Sequence, residues 1–327
     1  MYRLVRVSLF NFMIFTSFPT WASNLDLNFK ELSDQFDGQI GVCSVEVKTG
    51  KKPQCFNGEK AFPLQSVVKL VVAAAVLDAV DQKKVNLSEL ILVRPEDASP
   101  GPQEFANLVK RQGSVSATIE DLMLLAVTKS DSTSVDILIR HLGGVEAIQA
   151  FIKRKNLTGI RIDRNERDLQ SESVGLTWRG EYSDPDKFDL AIKGLSEAKR
   201  DAAWAAHLKD GRDTATPLAM LKFLEELGSE RLLSKSSTEK LLSIMSKTST
   251  GRDRLKAGLP LGWTIEHKTG TGRTWKEVTE VVNDVGFLNS PDSRKIAIAV
   301  FIAGSKRPMQ EQVKVIAKAA ELATKLQ

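Results

Sequence analysis

Apolar positions fall into two periods along this chain, and the period changes twice. Leu25, Phe29, Leu32 and Phe36 recur every three to four residues, which predicts an amphipathic first helix. Ile40-Gly-Val-Cys-Ser-Val-Glu-Val47 alternates like a strand, with a turn at Thr49–Pro53 and a short second strand near Gln54–Phe56. From Ser66 to about Ser246 the pattern is almost entirely helical, predicting helices over 66–82, 116–128, 132–142, 145–154, 187–207, 216–227 and 237–247. Strand patterns return at Trp263–His267, Val278–Asn289 and Lys295–Ala303, with Asn289-Ser-Pro-Asp-Ser293 turning between the last two. A closing helix is predicted from about Met309 to Leu326.

Strands at both ends and helices between them predict an α+β fold. An antiparallel sheet built from both chain ends, flanked by helices, packs on a mainly helical lobe. The expected division is an α/β lobe from 23–62 and 250–327 and a helical lobe from 63–249. The most apolar stretch, Leu70-Val-Val-Ala-Ala-Ala-Val-Leu77, is flanked by Lys69 and Asp78 and reads as a buried helix rather than a membrane span.

Residues 1–22 read as a secretory signal. Arg3 and Arg6 give a basic start, Val7 to Phe18 is mostly apolar, and Thr20-Trp21-Ala22 suits cleavage. No cysteine near the cut marks a lipoprotein anchor. The expectation is a secreted, periplasmic protein with no membrane attachment after cleavage. Loss of Arg3 and Arg6 lowers the formal net charge from +5 to +3, and the basic residues are scattered, so nothing points to nucleic acid or a membrane surface. In an exported chain, the two cysteines, Cys43 and Cys55, suggest a disulfide. Antiparallel pairing about Thr49-Gly50 could set them opposite each other, and two separate reduced thiols are the alternative.

Four stretches carry candidate chemistry. Ser66-Val-Val-Lys69 would open the buried helix, with Lys69 one turn after Ser66 on the same face. A serine hydroxyl needs a neighbouring base, and burial pushes a lysine towards the neutral form that can serve. The plain alternative is a capping serine and a snorkelling lysine. The same spacing recurs at Ser196/Lys199 and Ser237/Lys240, in polar surroundings. Ser130-Asp131-Ser132 lies between two helical stretches, where capping the next helix is the plainer role. Lys268-Thr269-Gly270-Thr271-Gly272 ends a strand; its lysine can face an anion, and its small residues let a substrate lie along the edge. Lys48-Thr49-Gly50 repeats three of those letters in a hairpin turn and is assigned no chemistry. Glu166, in Arg164-Asn-Glu166-Arg-Asp-Leu169-Gln170, sits in a polar loop where a solvated charge is the ordinary reading. His141, His207 and His267 lack the spacing of a zinc motif; the first two read as ordinary helix residues and the third as a neighbour of Lys268.

Taken in order, these motifs resemble the class A serine β-lactamases, whose signatures are Ser-x-x-Lys, Ser-Asp-Asn and Lys-Thr-Gly. Flanking stretches are similar too: Phe62-Pro63-Leu64, Asp210-Gly-Arg-Asp-Thr-Ala-Thr-Pro217, Ala257-Gly-Leu-Pro-Leu-Gly-Trp263 and Asn283-Asp-Val-Gly286. The resemblance covers nearly the whole mature chain. It implies a hydrolase for a β-lactam substrate, monomeric, without metal or cofactor. Ser66 would be acylated, and Lys69 and Glu166 would manage its proton. Ser130 would protonate the leaving nitrogen, and the amides of Ser66 and Thr271 would form the oxyanion hole. Lys268, Thr269 and Thr271 would hold the substrate carboxylate, with Arg254 as an extra guanidinium. Glu166 would then activate the hydrolytic water. Three departures stand out. Ser132 and Gln170 replace asparagines, and about 171–209 is a long segment where the family has a short loop closure. That segment would be a side wall or lid of the cleft, or a surface elaboration. The competing readings are a penicillin-binding peptidase with slow deacylation and a non-enzymatic sensor of peptidoglycan fragments.

Overall fold

The computed structural model describes residues 29, 30, 33, 36–101 and 104–325. The signal segment and two members of the first helical stripe, Leu25 and Leu32, lie outside the described residues. Phe29 is buried against the Phe56 ring, 6.3 Å between centroids.

The chain ends meet in one antiparallel sheet, as the strand pattern predicts. Strands β1 (Gln39–Glu46), β2 (Gln54–Phe56), β7 (Thr264–Thr271), β9 (Val278–Asn289) and β10 (Lys295–Ser305) lie in the order β2-β1-β10-β9-β7, and the short β8 (Thr274–Trp275) pairs with β9. Helices cover both faces, so β10 is apolar at nearly every position. Ala297, Ala299 and Phe301 join the core shared with the helical lobe, while Ile296, Ile298, Val300 and Ile302 pack towards Ile316 and Ala320 of the closing helix, Met309–Thr324. Cys43 stands opposite Cys55 in the β1–β2 register, and the two are joined as a disulfide.

Eleven α-helices occur among the described residues. The helix Val68–Asp81, here α1, is buried from Val68 to Asp78 because its side chains are apolar on all sides. Around it stand α2 (Glu104–Gln112), α3 (Ile119–Thr128), α4 (Ser132–Leu142) and α5 (Val145–Arg154).

Several boundaries differ from the periodicity. Ser66 does not cap α1: Gln65–Val67 form a 3-10 turn, with Gln65 at φ +46°, and the α-helix starts at Val68. The stretch expected as one helix from 116 begins as strand β5, Val115–Thr118, paired with β4, Leu90–Val93, before Thr118 caps α3. The helix expected over 187–207 is two, Pro185–Lys193 (α7) and Glu197–His207 (α8), because Gly194 ends the first and Ser196 caps the second. The Glu166 loop contains α6, Glu166–Glu172, capped by the Asn165 side chain.

Candidate active site

Three elements converge on Ser66. The turn before α1 presents its hydroxyl, partly exposed, and the buried Lys69 Nζ lies 2.8 Å from it. On its other side Lys69 contacts Glu166 Oε1 at 2.5 Å. Glu166 is buried, not solvated, because α6 folds back over the cleft. Its backbone N–H donates to Asp136 Oδ1 at 2.7 Å, and Asp136 also accepts from the Arg167 N–H and the Ser99 hydroxyl. Burial and the neighbouring Glu166 charge push the Asp136 carboxyl up to about 6. The other Glu166 oxygen accepts from Ser132 Oγ at 3.3 Å and Gln170 Nε2 at 3.2 Å, so both residues that depart from the family pattern touch it.

The second element is β7. It runs so close to the turn before Ser66 that a Cβ on Gly270 would lie 2.7 Å from the Leu64 carbonyl, which is why this position is glycine. Asn283 Nδ2 ties the same turn to the sheet through the carbonyls of Pro63 and Leu64. Lys268 is fully buried and donates to Ser130 Oγ at 2.7 Å and to the Thr269 carbonyl. Burial, and then the nearby Lys69 ammonium, hold its pKa well below the ordinary lysine value. Thr271 is exposed at the strand edge. Arg254 lies under it, donating to Thr271 Oγ1 at 2.6 Å and to the carbonyls of Gly270 and Asn283.

The third element is the turn before α4. Asp131, not its serine neighbours, caps the helix, accepting from the Ser134 N–H at 2.7 Å. Ser130, at φ +62°, is thereby turned to Lys268. Capping in this triplet thus falls to Asp131, and Ser130 is the residue that faces Lys268.

The duplicated motifs do other work. Ser196 caps its helix, Ser237 binds Asp81 and Lys240 pairs with Glu120, while Lys48 reaches the exposed Glu230. His267 is buried against Asp284. His207, expected as an ordinary helix residue, is instead buried 2.9 Å from Glu280 Oε1; the other Glu280 oxygen accepts from Gln65 Nε2 at 2.7 Å. This chain joins the inserted segment to the residue before the nucleophile. The loop carrying Glu166 is closed at its neck by Arg164, whose Nε donates to Asp213 Oδ2 at 2.6 Å. The segment 171–209 therefore emerges inside that loop, and α8 packs at β8, with Asp201 binding the indole N–H of Trp275 and the Lys276 ammonium. The segment thus packs against the hairpin that follows β7. Gln65, Asp136 and Glu280 carried no local motif; Asn165 three positions before Asp168 was the available sign that Glu166 opens a helix.

A family model described as the beta-lactamase enzyme family matches residues 24–327. The chain is 29% identical to beta-lactamase VEB-1 of Pseudomonas aeruginosa over 326 residues, covering 98% of this chain and 95% of that protein. Its fold matches a beta-lactamase from Chitinophaga pinensis with TM-score 0.75 and 27% identity, covering 91% of this chain and 97% of the other. It also matches an ancestral class A beta-lactamase (GNCA) with TM-score 0.72 and 28% identity, covering 92% and 98%. With the motifs in family order and that fold beneath them, the chain belongs to the beta-lactamase enzyme family, among its class A serine members.

Proposed function

We propose that this protein hydrolyses β-lactam antibiotics through an acyl-enzyme on Ser66. The observation that carries the proposal is the contact of Lys69 with both the Ser66 hydroxyl, 2.8 Å, and the Glu166 carboxylate, 2.5 Å. With its proton passed to Glu166, Lys69 is a base in direct reach of the hydroxyl. Ser66 Oγ attacks the lactam carbonyl carbon as its proton moves to Lys69, and the backbone amides of Ser66 and Thr271 receive the oxyanion. The C–N bond then breaks and the nitrogen takes a proton from Ser130, whose hydroxyl is refilled from Lys69, directly or by way of Lys268; Glu166 returns its proton to the Lys69 amine and is a carboxylate again. In the second half Glu166, aligned by Ser132 and Gln170, removes a proton from water. That water attacks the ester, and Ser66 leaves with its proton restored.

The substrate carboxylate is assigned to Thr269, Thr271 and Lys268, with Arg254 holding Thr271 from below. An arriving anion favours the Lys268 ammonium that burial disfavours, so binding and proton uptake are coupled there. Residues 23–327 form one β-lactamase domain with the two lobes described, acting as a periplasmic monomer. Continuous turnover of a chromogenic cephalosporin supports this reading. A single stoichiometric burst would instead indicate a slowly deacylating penicillin-binding protein, and no reaction would indicate a sensor.

A further inference from the structure

The inserted segment brings an aromatic cluster of its own against the residue that follows Glu166. Trp178 meets Tyr182 edge-on, 6.1 Å between centroids, and Tyr182 meets Phe188 of α7 in the same way at 5.6 Å. Tyr182 and Phe188 are buried, yet they stand outside both hydrophobic cores of the fold. The Arg167 guanidinium lies over the Trp178 ring, 5.1 Å from its centroid.

Arg167 is the second residue of α6, a helix of seven residues that is too short to hold its place unaided. Its side chain crosses to the segment before α2. Nη2 donates to the carbonyls of Glu96 at 2.8 Å and Ala98 at 3.4 Å, and Nε donates to Ser99 Oγ at 3.2 Å. Ser99 Oγ in turn donates to Asp136 Oδ2 at 2.7 Å, the same carboxyl that accepts the backbone N–H groups of Glu166 and Arg167. That segment also reaches Ser132, since a Cβ on Gly101 would lie 2.8 Å from the Ser132 hydroxyl. Among the described residues no carboxylate comes nearer to the guanidinium than Asp136, at 4.0 Å. Two carbonyls, a hydroxyl and the ring face therefore fix its position, and a planar guanidinium suits stacking on an indole.

We propose that Trp178 is a positioning residue for Glu166, acting through Arg167. The proposal rests on the reading of Glu166 as the base of deacylation. The ring keeps the guanidinium on residues 96–99, and the guanidinium keeps the first turn of α6, with the Glu166 carboxylate, against that wall. The inserted segment thereby takes a part in the second half of the reaction, where the carboxylate must be aligned on a water.

The test changes Trp178 to leucine, which keeps apolar bulk, and to phenylalanine, which keeps a ring face. Single-turnover kinetics with benzylpenicillin, followed by intact mass, give the rates of acylation and deacylation separately. Trp178→Leu should slow deacylation about fivefold, the weight of one such cation–π contact, and acylation by less, because Lys69 keeps its own contact with Ser66. Trp178→Phe should return most of the rate. In an Arg167→Met background, which keeps the stem and removes the charge, the leucine change should have no further effect. Unchanged deacylation, equal slowing of both steps, a phenylalanine variant as slow as the leucine one, or the same loss in the Arg167→Met background overturns the proposal. A parent that turns over no β-lactam counts against the hydrolase reading instead, and the clamp is then judged by amide hydrogen exchange in residues 164–172. Faster exchange in Trp178→Leu than in the parent supports it, and equal exchange overturns it.

Discussion

Replacing Arg164 with alanine should unfasten the loop that carries Glu166. Arg164 is buried, and its guanidinium meets Asp213 at 2.6 Å, Glu172 at 2.7 Å and Asp210 at 3.1 Å. Removing one partner of a buried ion pair costs about 3–5 kcal/mol, because the other charge stays desolvated. Asp213 keeps the backbone N–H groups of Asp163 and Arg164, at 2.7 and 3.0 Å, which places the expected loss near the lower end, about 3 kcal/mol. For a chain of this size that is a fall of about 5 °C in Tm. Because the neck closes the loop that carries Glu166, the functional loss should fall on deacylation. The assay is thermal unfolding together with the lifetime of the acylated protein by intact mass. A variant within 1 °C of the parent with unchanged turnover would refute the view that this ion pair holds the loop shut.

Three further outcomes follow from the same contacts. The native state keeps the Asp136 proton up to about pH 6 while the unfolded chain releases it near 3.8, so its contribution is fully present below 3.8 and declines as pH rises through 6. Asp136→Asn should lack that decline, gaining on the parent by about 3 kcal/mol from acid to neutral pH in denaturant titrations; a flat difference contradicts the raised carboxyl. Glu280→Leu should slow acylation at least tenfold and also lower Tm, since Gln65 Nε2 loses its buried acceptor, whereas Glu280→Gln keeps the Gln65 contact and most of the rate. Equal acylation by the leucine variant would make Glu280 purely structural. Gln170→Ala should slow deacylation more than acylation in single-turnover kinetics, because the amide touches Glu166 and not Ser66; equal slowing of both steps would show a general disturbance.

How far the sequence reached depended on the range of the interaction. The strands of the sheet were legible because β9 and β10 are long and apolar, and their placement followed from needing partners at the opposite chain end. The reactive motifs were legible because each is compact and their order is shared with a known family. Short elements escaped. Leu90–Val93 and Val115–Thr118 have four residues each, too few to establish a period, and α2 between them was missed. The contacts Arg164–Asp213 and His207–Glu280 join residues far apart in sequence and leave no local mark. Gln65 shows the same limit at backbone level: its left-handed conformation follows from packing between β7 and α1, not from its own preference.

The central claim is that Ser66 carries the acyl group and Glu166 is needed to release it. Glu166→Gln protein mixed with benzylpenicillin and read by intact mass tests it directly. Ring opening loses no atoms, so the account predicts a persistent adduct of one whole penicillin per chain, mapped to the peptide bearing Ser66 and absent from Ser66→Ala. An adduct on another residue, or release as fast as in the parent, would contradict it.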